Sequence, residues 1–207
     1  MKRRMITTAL AACLTASLTA CGGGGGNAGS GNTPLTPPVS SSGNLDAYVG
    51  TWTSACASHA IDTAVIARAA GSSNALTIAV TTNYYANTAC TGDIIATQVW
   101  SAATTATYVG TVASSIMPGS VAASIDKMTA QQPQRSVTLT GTFVSRKIVD
   151  GQPNWCIDYA GGSVCVPDRI YAAEPAPFDG LAIVGGELVE VKSNGVNYDA
   201  VERFTKR

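Results

Sequence analysis

Apolar and polar positions alternate with a period of two residues through much of the chain after residue 44. The clearest examples are LTIAVT at 76–81 and VTLTGTF at 137–143, where threonines separate the apolar residues. This period is typical of half-buried antiparallel strands that expose threonine to water. The segment IDTAVIARAA at 61–70 suits either a helix or a strand, and no other segment shows a sustained helical period. The pattern therefore predicts a protein built almost entirely of β-strands.

Glycine-containing pairs divide these segments at short intervals. Asp150-Gly151 and Asn194-Gly195 are typical of two-residue type I′ hairpin turns, and Gly161-Gly162 predicts a third turn. We expect about eight to ten strands and at most one short helix. Their arrangement is predicted to be an all-β antiparallel barrel or a barrel-like sandwich.

The chain of 207 residues divides into three predicted segments. Basic residues at 2–4 precede an apolar stretch at 5–18, which is shorter than the roughly 20 residues of a membrane-spanning helix. Residues 1–20 therefore have the pattern of a secretory signal peptide. Residues 21–44 form a linker rich in Gly, Ser and Pro, which is typical of a tether. All aromatic residues lie beyond it, so residues 45–207 are the predicted folded domain.

The residues at the end of the predicted signal peptide indicate a cellular location. Leu18-Thr19-Ala20-Cys21 resembles the lipobox of bacterial lipoproteins. The resemblance implies cleavage before Cys21, lipidation of that cysteine and the membrane as a partner. Residue 22 is Gly and not Asp, which by resemblance to Gram-negative lipoproteins implies transfer to the outer membrane, facing either the periplasm or the exterior. The alternative is an ordinary signal peptide that ends in an incidental cysteine.

Charge excludes one class of partner. The chain has 13 basic and 13 acidic residues, and removal of the three basic residues at 2–4 leaves a net charge of −3. Neither a basic patch nor a run of Lys and Arg is present in the predicted domain. Because phosphate binding needs such a patch, nucleic acid is not an expected partner.

Four cysteines remain in the predicted domain after the signal peptide and the lipidated Cys21 are set aside. An even number in an exported chain favours disulfides. Of the three possible pairings we favour Cys56–Cys90 and Cys156–Cys165, because the second pair flanks a predicted hairpin. The alternative is a metal site that combines Cys56 and His59 with two other cysteines. The nine-residue separation of Cys156 and Cys165 is unlike zinc frameworks, so no metal is predicted.

The sequence carries no recognised catalytic or cofactor motif. G-x-S-x-G, HExxH, a P-loop, a dinucleotide fingerprint and an EF-hand loop are all missing, so we predict neither catalytic residues nor a cofactor. His59 is the only histidine, and we expect it in a solvent-exposed loop. Four carboxylates lie fairly close in sequence, with no spacing that would bring them to one cleft: Asp158, Asp168, Glu174 and Asp179.

Two short motifs resemble those of lipocalins. Gly50-x-Trp52 is similar to the Gly-x-Trp that opens the first lipocalin strand, and the segment Ile-Asp-Tyr at 157–159 is similar to the second motif, with Ile for the usual Thr. The resemblance implies a lipocalin-like barrel in which Trp52 plugs the closed end beneath an arginine of the last strand, here Arg203. The whole chain also resembles small outer-membrane lipoproteins of no assigned activity, which combine a Cys-polyGly tether, an early Gly-Thr-Trp and a disulfide-bearing β-domain.

Three functional hypotheses follow. The first is a barrel that binds a small apolar ligand, because eight strands leave room for one small molecule. The aromatic residues expected to line that interior or to fill the core are Trp52, Tyr84, Trp100, Tyr108 and Trp155. The second is a filled barrel that acts through its surface as an envelope protein-interaction or hydrolase-inhibitor module. The third is a hydrolase, which no motif supports. An interior cavity above about 300 Å³ would favour the first hypothesis.

Overall fold

The computed structural model describes residues 44–207, and the predicted signal peptide, Cys21 and the linker as far as residue 43 lie outside them. These residues form one 3-10 helix and fourteen strands. The elements are the 3-10 helix Leu45–Ala47, β1 (Gly50–Ser54), β2 (Ala60–Arg68), β3 (Ala75–Tyr85), β4 (Ile94–Trp100), β5 (Thr104–Met117), β6 (Val121–Gln132), β7 (Val137–Thr140), β8 (Val144–Val149), β9 (Gln152–Tyr159), β10 (Gly162–Pro167), β11 (Glu174–Pro175), β12 (Gly180–Val184), β13 (Glu187–Ser193) and β14 (Tyr198–Lys206). No helix of this part of the chain is long and apolar enough to cross a membrane.

Eight of these strands form a closed hydrogen-bonded ring, which confirms the all-β antiparallel, barrel-like prediction. The order around the ring is β1, β2, β3, β5, β6, β12, β13, β14 and back to β1, and each pair is antiparallel. The total of fourteen strands exceeds the eight to ten predicted, because β4, β7 and β11 extend the ring sheet and β8–β10 form a separate sheet. The ambiguous segment at 61–70 is strand in its greater part, since β2 runs to Arg68.

The ring is uneven because β3 changes its partner part-way along its length. Residues 75–78 of β3 pair with β5, whereas residues 81–85 pair with β4, which in turn pairs with β7. The sheet therefore divides at this point. The β4–β5 connection joins the two parts of the divided sheet. Within it, the Ser101 amide donates to the Ser136 carbonyl oxygen over 2.9 Å.

The interior of the ring is filled by apolar side chains at the end near the 3-10 helix. Leu45 of that helix, Tyr48 and Trp52 are buried together with Ala64 of β2 and Leu188 of β13. Trp52 is only 2% exposed, and its indole nitrogen donates to the carbonyl oxygen of Tyr48 over 2.7 Å. Complete burial of one large apolar side chain stabilises a fold by about 1.5–3 kcal/mol, so this plug contributes strongly to the free energy of unfolding.

Two further cores lie outside the ring. The three-stranded sheet β8–β10 packs through Ile157 against Ile95, Ala96, Val137 and Leu139 of β4 and β7. On another side, Ile116 and Ile125 of the long β5–β6 hairpin pack with Ala182, Val189 and Val191 of β12 and β13. The second contact covers a face of β13 that would otherwise be open to water.

Both predicted disulfides are present. Cys56–Cys90 joins the β1–β2 loop to the β3–β4 loop, with the Cα atoms 5.8 Å apart. Cys156 and Cys165 are register partners in β9 and β10, with the Cα atoms 4.1 Å apart. Because the four cysteines are paired with each other, no thiolate of the domain is free for the alternative metal site.

One of the three predicted hairpin turns has the predicted form, and the other two differ from it. Asp150 and Gly151 both have positive φ between β8 and β9, as a type I′ turn requires. The β9–β10 turn is Ala160-Gly161, one residue earlier than the glycine pair predicted. At Asn194 the loop has four residues rather than two, because the Asn194 side-chain oxygen accepts hydrogen bonds from the two backbone amides that precede β14.

Candidate ligand-binding site

A cavity of about 360 Å³ lies where β3 exchanges β5 for β4. Ile78, Phe178 and Phe204 line it and are also members of the ring core, so they form its apolar floor. Trp100 at the end of β4 and Arg135 in the β6–β7 connection form one wall. The cavity therefore begins at the level where the ring core ends.

Acidic residues from three strands line the opposite part of the cavity. Glu190 of β13 and Glu202 of β14 are direct cross-strand partners, and Asp62 comes from β2. The polar row continues through Thr82 of β3 and Gln98 of β4, since Asp62, Thr82 and Gln98 are successive register partners. A continuous band of polar side chains thus borders the apolar floor.

The strand period explains why these carboxylates point inward. Side chains two residues apart share one face of a strand. Asp62 is two residues from buried Ala64, and Glu190 is two residues from buried Leu188. Glu202 stands in the same relation to Phe204. Each of the three strands therefore presents an apolar side chain to the ring core and a carboxylate to the cavity.

The three carboxylates lack a cationic partner. Among residues 44–207 no ion pair reaches any of them, and the one side-chain hydrogen bond they receive is from the Thr82 hydroxyl to Asp62, over 2.5 Å. Burial raises the pKa of Glu190 to about 7, and repulsion from Glu202 and Asp62 adds to that shift. Loss of hydration also raises the pKa of Glu202, although this side chain is exposed; repulsion from Asp62 adds to the shift, and a hydrogen bond from the Arg203 backbone amide opposes it. The repulsive contribution to both shifts is consistent with three carboxylates that have no cation beside them.

Stacking holds the side chains of the wall formed by Trp100 and Arg135. The Arg135 guanidinium lies 4.1 Å from the centroid of the Trp100 ring and donates a hydrogen bond to the Gln132 side-chain oxygen. Tyr171 contacts the same indole edge to face, with the centroids 5.1 Å apart. Burial lowers the pKa of Arg135. Its Nε is buried and has no hydrogen-bond partner within the described part of the chain. This arginine is therefore fixed against Trp100 and makes no ion pair with the carboxylates.

The structure places the five predicted aromatic residues in three different surroundings. Trp100 lines the cavity. Tyr84 packs against the second core, and its hydroxyl donates to the Gln98 side-chain oxygen over 2.9 Å. Trp52 and Tyr108 are members of the ring core.

Trp155 packs in the second core, away from the ring. The Arg146 guanidinium covers its ring at 4.2 Å, and its indole nitrogen is buried with no hydrogen-bond partner among residues 44–207. Cys21, the predicted lipidation site, lies outside the described residues.

One expectation about an individual side chain is wrong, and another, that His59 lies in a solvent-exposed loop, holds for the loop but not for full exposure. The cation over Trp52 is Lys206, whose Nζ lies 5.2 Å from the ring centroid because the two residues are register partners. Arg203 instead forms an ion pair with Glu187 over 3.3 Å. His59 is only half exposed, because its ring stacks on Tyr159 with the centroids 4.3 Å apart.

The four carboxylates considered from the sequence are not brought together. Three of them form separate ion pairs: Asp158 with Lys147, Asp168 with Arg146, and Asp179 with Lys192. Glu174 is exposed in β11. Over residues 44–207, no group of three or more His, Cys, Asp or Glu side chains could hold a metal ion.

The chain was compared with protein-family models, with curated proteins and with solved structures, and none of the three comparisons finds a match. A functional assignment therefore rests on the cavity itself. Sequence reasoning missed the residues that give it its character, namely Asp62, Glu190, Glu202 and Arg135. The sequence does place each carboxylate two residues from an apolar residue, but in β13 the flanking valines indicate the opposite face as the buried one, so this spacing alone is not decisive.

Proposed function

We propose that the domain binds a small molecule in the cavity at the divided end of the ring. The observation that carries this proposal is the cavity volume of about 360 Å³, together with a lining that combines an apolar floor and a polar border. Small-molecule sites are typically concave, about 300–1,000 Å³ in volume, and mostly apolar with a few placed polar groups. The filled core beneath the cavity supplies the rigid support that such a site needs.

The lining supports a ligand with both an apolar and a polar part. Phe178, Phe204 and Ile78 offer apolar contact, and the flat face of Trp100 suits an aromatic or aliphatic group. The carboxylates favour a polar partner, because Glu190 and Glu202 receive no hydrogen bond from another side chain and a partly buried charge without a partner is costly. The small apolar ligand expected from the sequence is therefore refined to a small amphipathic one.

A filling substitution tests this proposal. Ala102 lines the cavity, whereas its neighbour Ala103 does not. We expect Ala102→Phe to reduce uptake of an apolar fluorescent probe by the full chain at least about tenfold, with Ala103→Phe as a matched control that binds normally. Equal binding by wild type and both variants would contradict the assignment to this cavity. Lack of probe uptake by the folded wild-type chain would contradict ligand binding altogether.

The proposed setting is the cell envelope, with the domain attached to the outer membrane through lipid on Cys21. Support comes from the lipobox-like segment and from the Gly-, Ser- and Pro-rich composition of residues 22–44, which is typical of a tether. Intact mass spectrometry of the membrane-extracted chain tests the attachment. We expect a triacylated Cys21 at the amino terminus, and loss of the lipid in Cys21→Ser. An unmodified Cys21 in the wild-type chain would contradict it.

A surface-acting envelope protein is the second candidate. Its support is the exposed apolar surface of the three-stranded sheet and its neighbourhood, where Ile148 is 71% exposed and Phe143 is 50% exposed. Such residues favour contact with another protein when they form a patch. This candidate becomes the leading one if the cavity takes up no ligand. A hydrolase remains third.

A further inference from the structure

We infer that the cavity selects ligands that carry a positively charged ammonium group, bound among Asp62, Glu190 and Glu202, with an apolar body on Phe178 and Phe204. This inference rests on the proposed function, since it names the chemical class of the ligand in the same cavity. Three features of the cavity leave negative charge uncompensated by the described residues.

The first feature is the like-charge pair across β13 and β14. Glu190 and Glu202 are direct register partners and both line the cavity. Like charges directly opposite each other destabilise a sheet, and a third carboxylate from β2 adds to the repulsion. An ammonium group between them would convert this repulsion into attraction.

The second feature is the environment of Glu190. Its side chain is half-buried, lines the cavity, and has neither a hydrogen bond nor an ion pair with any residue of 44–207. Carboxylates that lose part of their hydration on folding are normally paired. A carboxylate that faces a cavity without a partner is positioned for a partner that comes from outside the chain.

The third feature is that the cavity's own cation does not fill this role. Arg135 makes no ion pair with these carboxylates, and stacking on Trp100 and a hydrogen bond to Gln132 hold its guanidinium. The lining thus has three carboxylates and one fixed cation, a formal excess of two negative charges when all are ionised. An ammonium ligand matches this excess, whereas a carboxylate ligand increases it.

The titratable and charged groups around Glu190 set the expected pH dependence. They are Glu202 on β14, Asp62 on β2 with nearby Tyr84 on β3, and Arg135 across the cavity. As Glu190 loses its proton near neutral pH, the attraction for a cation increases. A neutral ligand should show no such change.

Three probes of similar shape test the inference with the purified full chain. The probes are 2-phenylethylammonium, neutral 2-phenylethanol and anionic 3-phenylpropanoate, titrated by calorimetry at pH 8 and pH 5.5. We expect the cation to bind about tenfold more tightly than the alcohol at pH 8, to lose most of that advantage at pH 5.5, and the anion to bind most weakly. An alkylammonium keeps its charge at both pH values, because its pKa is about 10.

Paired variants assign the effect to the cavity. We expect Glu190→Gln to weaken binding of the cation about tenfold at pH 8 while binding of the alcohol stays unchanged. Asp62→Asn should act in the same direction. Glu187→Gln is the matched control, because Glu187 lies on the same strand, outside the cavity, in an ion pair with Arg203. It should leave the binding of all three probes unchanged.

The outcomes distinguish failure of the ammonium inference from failure of ligand binding in the cavity. If the alcohol or the anion binds as tightly as the cation at pH 8, the cavity binds ligands but the ammonium inference is wrong. The inference is also wrong if Glu190→Gln and Glu187→Gln have equal effects. If none of the three probes binds while the apolar fluorescent probe does, the inference fails and the proposed function stands. Failure of all four probes overturns both.

Discussion

The two ends of the eight-strand ring differ in whether their polar side chains have partners. At the end near the 3-10 helix, the Tyr48 hydroxyl donates to Asp126 over 2.7 Å, and Thr111 donates to the same carboxylate. The Trp52 indole nitrogen is also satisfied. At the cavity end, Glu190 and Glu202 oppose each other with no cation between them. The first end is arranged for stability, and the second keeps charges that reduce stability.

This difference supports the proposal that the cavity end is the functional one, without reference to any motif. Buried polar groups that are fully paired are explained by the fold itself. Groups that remain unpaired lower the free energy of unfolding and call for another explanation, which in functional sites is often a ligand. The contrast can be tested by substitutions at each end whose effects on stability should differ in size or in sign.

The largest expected effect comes from the filled end. Trp52→Ala should lower the free energy of unfolding by about 3–5 kcal/mol, because it removes a fully packed ring and leaves a cavity. Trp100→Ala is the comparison at the other end, where the ring already borders open space, and should cost clearly less. Urea denaturation of the full chain measures both. Equal losses would show that the two ends are packed alike.

A smaller effect of opposite sign is expected at the cavity end. The pKa of Glu190 is raised from its ordinary value of 4.5 to about 7 in the folded protein. Between these values the folded state binds more protons than the unfolded state, so stability should fall as pH rises through this window. Glu190→Gln should therefore raise the free energy of unfolding by about 1–3 kcal/mol at pH 8 and change it little at pH 5.

Denaturation at several pH values with Glu187→Gln as the control measures this effect. Glu187 is exposed to solvent in an ion pair with Arg203, and its loss should change stability by less than about 1 kcal/mol at any pH. Destabilisation by Glu190→Gln at pH 8 would mean that this carboxylate is paired, and it would remove the contrast between the two ends.

Much of the fold could be predicted from local sequence. The period of two residues predicts the strands, Asp150-Gly151 forms its type I′ turn, and the disulfide Cys156–Cys165 follows from its hairpin. These features depend on residues that are near one another in the chain. The two-residue turn at Asn194 was wrong because a side-chain hydrogen bond favours a longer loop, which the dipeptide alone does not reveal.

The cavity could not be predicted in the same way, because it depends on contacts between distant strands. In ELVEVKS at 187–193, Val189 and Val191 suggest that the valine face is the buried one and that Glu190 faces water. The β5–β6 hairpin covers the valine face, and the ring encloses the other face, so both are covered. The fixed position of Arg135 likewise depends on Trp100, which lies 35 residues earlier in the chain.

The smallest expected effect tests whether the polar network at the filled end is structural. Burial is the main cause that raises the pKa of Tyr48, and its bond to Asp126 adds to the shift, so the hydroxyl keeps its proton and acts as a donor. Tyr48→Phe removes this donor to Asp126 and to the Leu181 carbonyl oxygen, while the Thr111 hydroxyl still donates to Asp126. We therefore expect a loss of only about 1 kcal/mol at every pH from 5 to 8, with unchanged binding of the cavity probes. Denaturation and calorimetry on the same sample measure both quantities. A change in probe affinity would mean that the two ends are coupled through the ring, and that the filled end also serves the ligand.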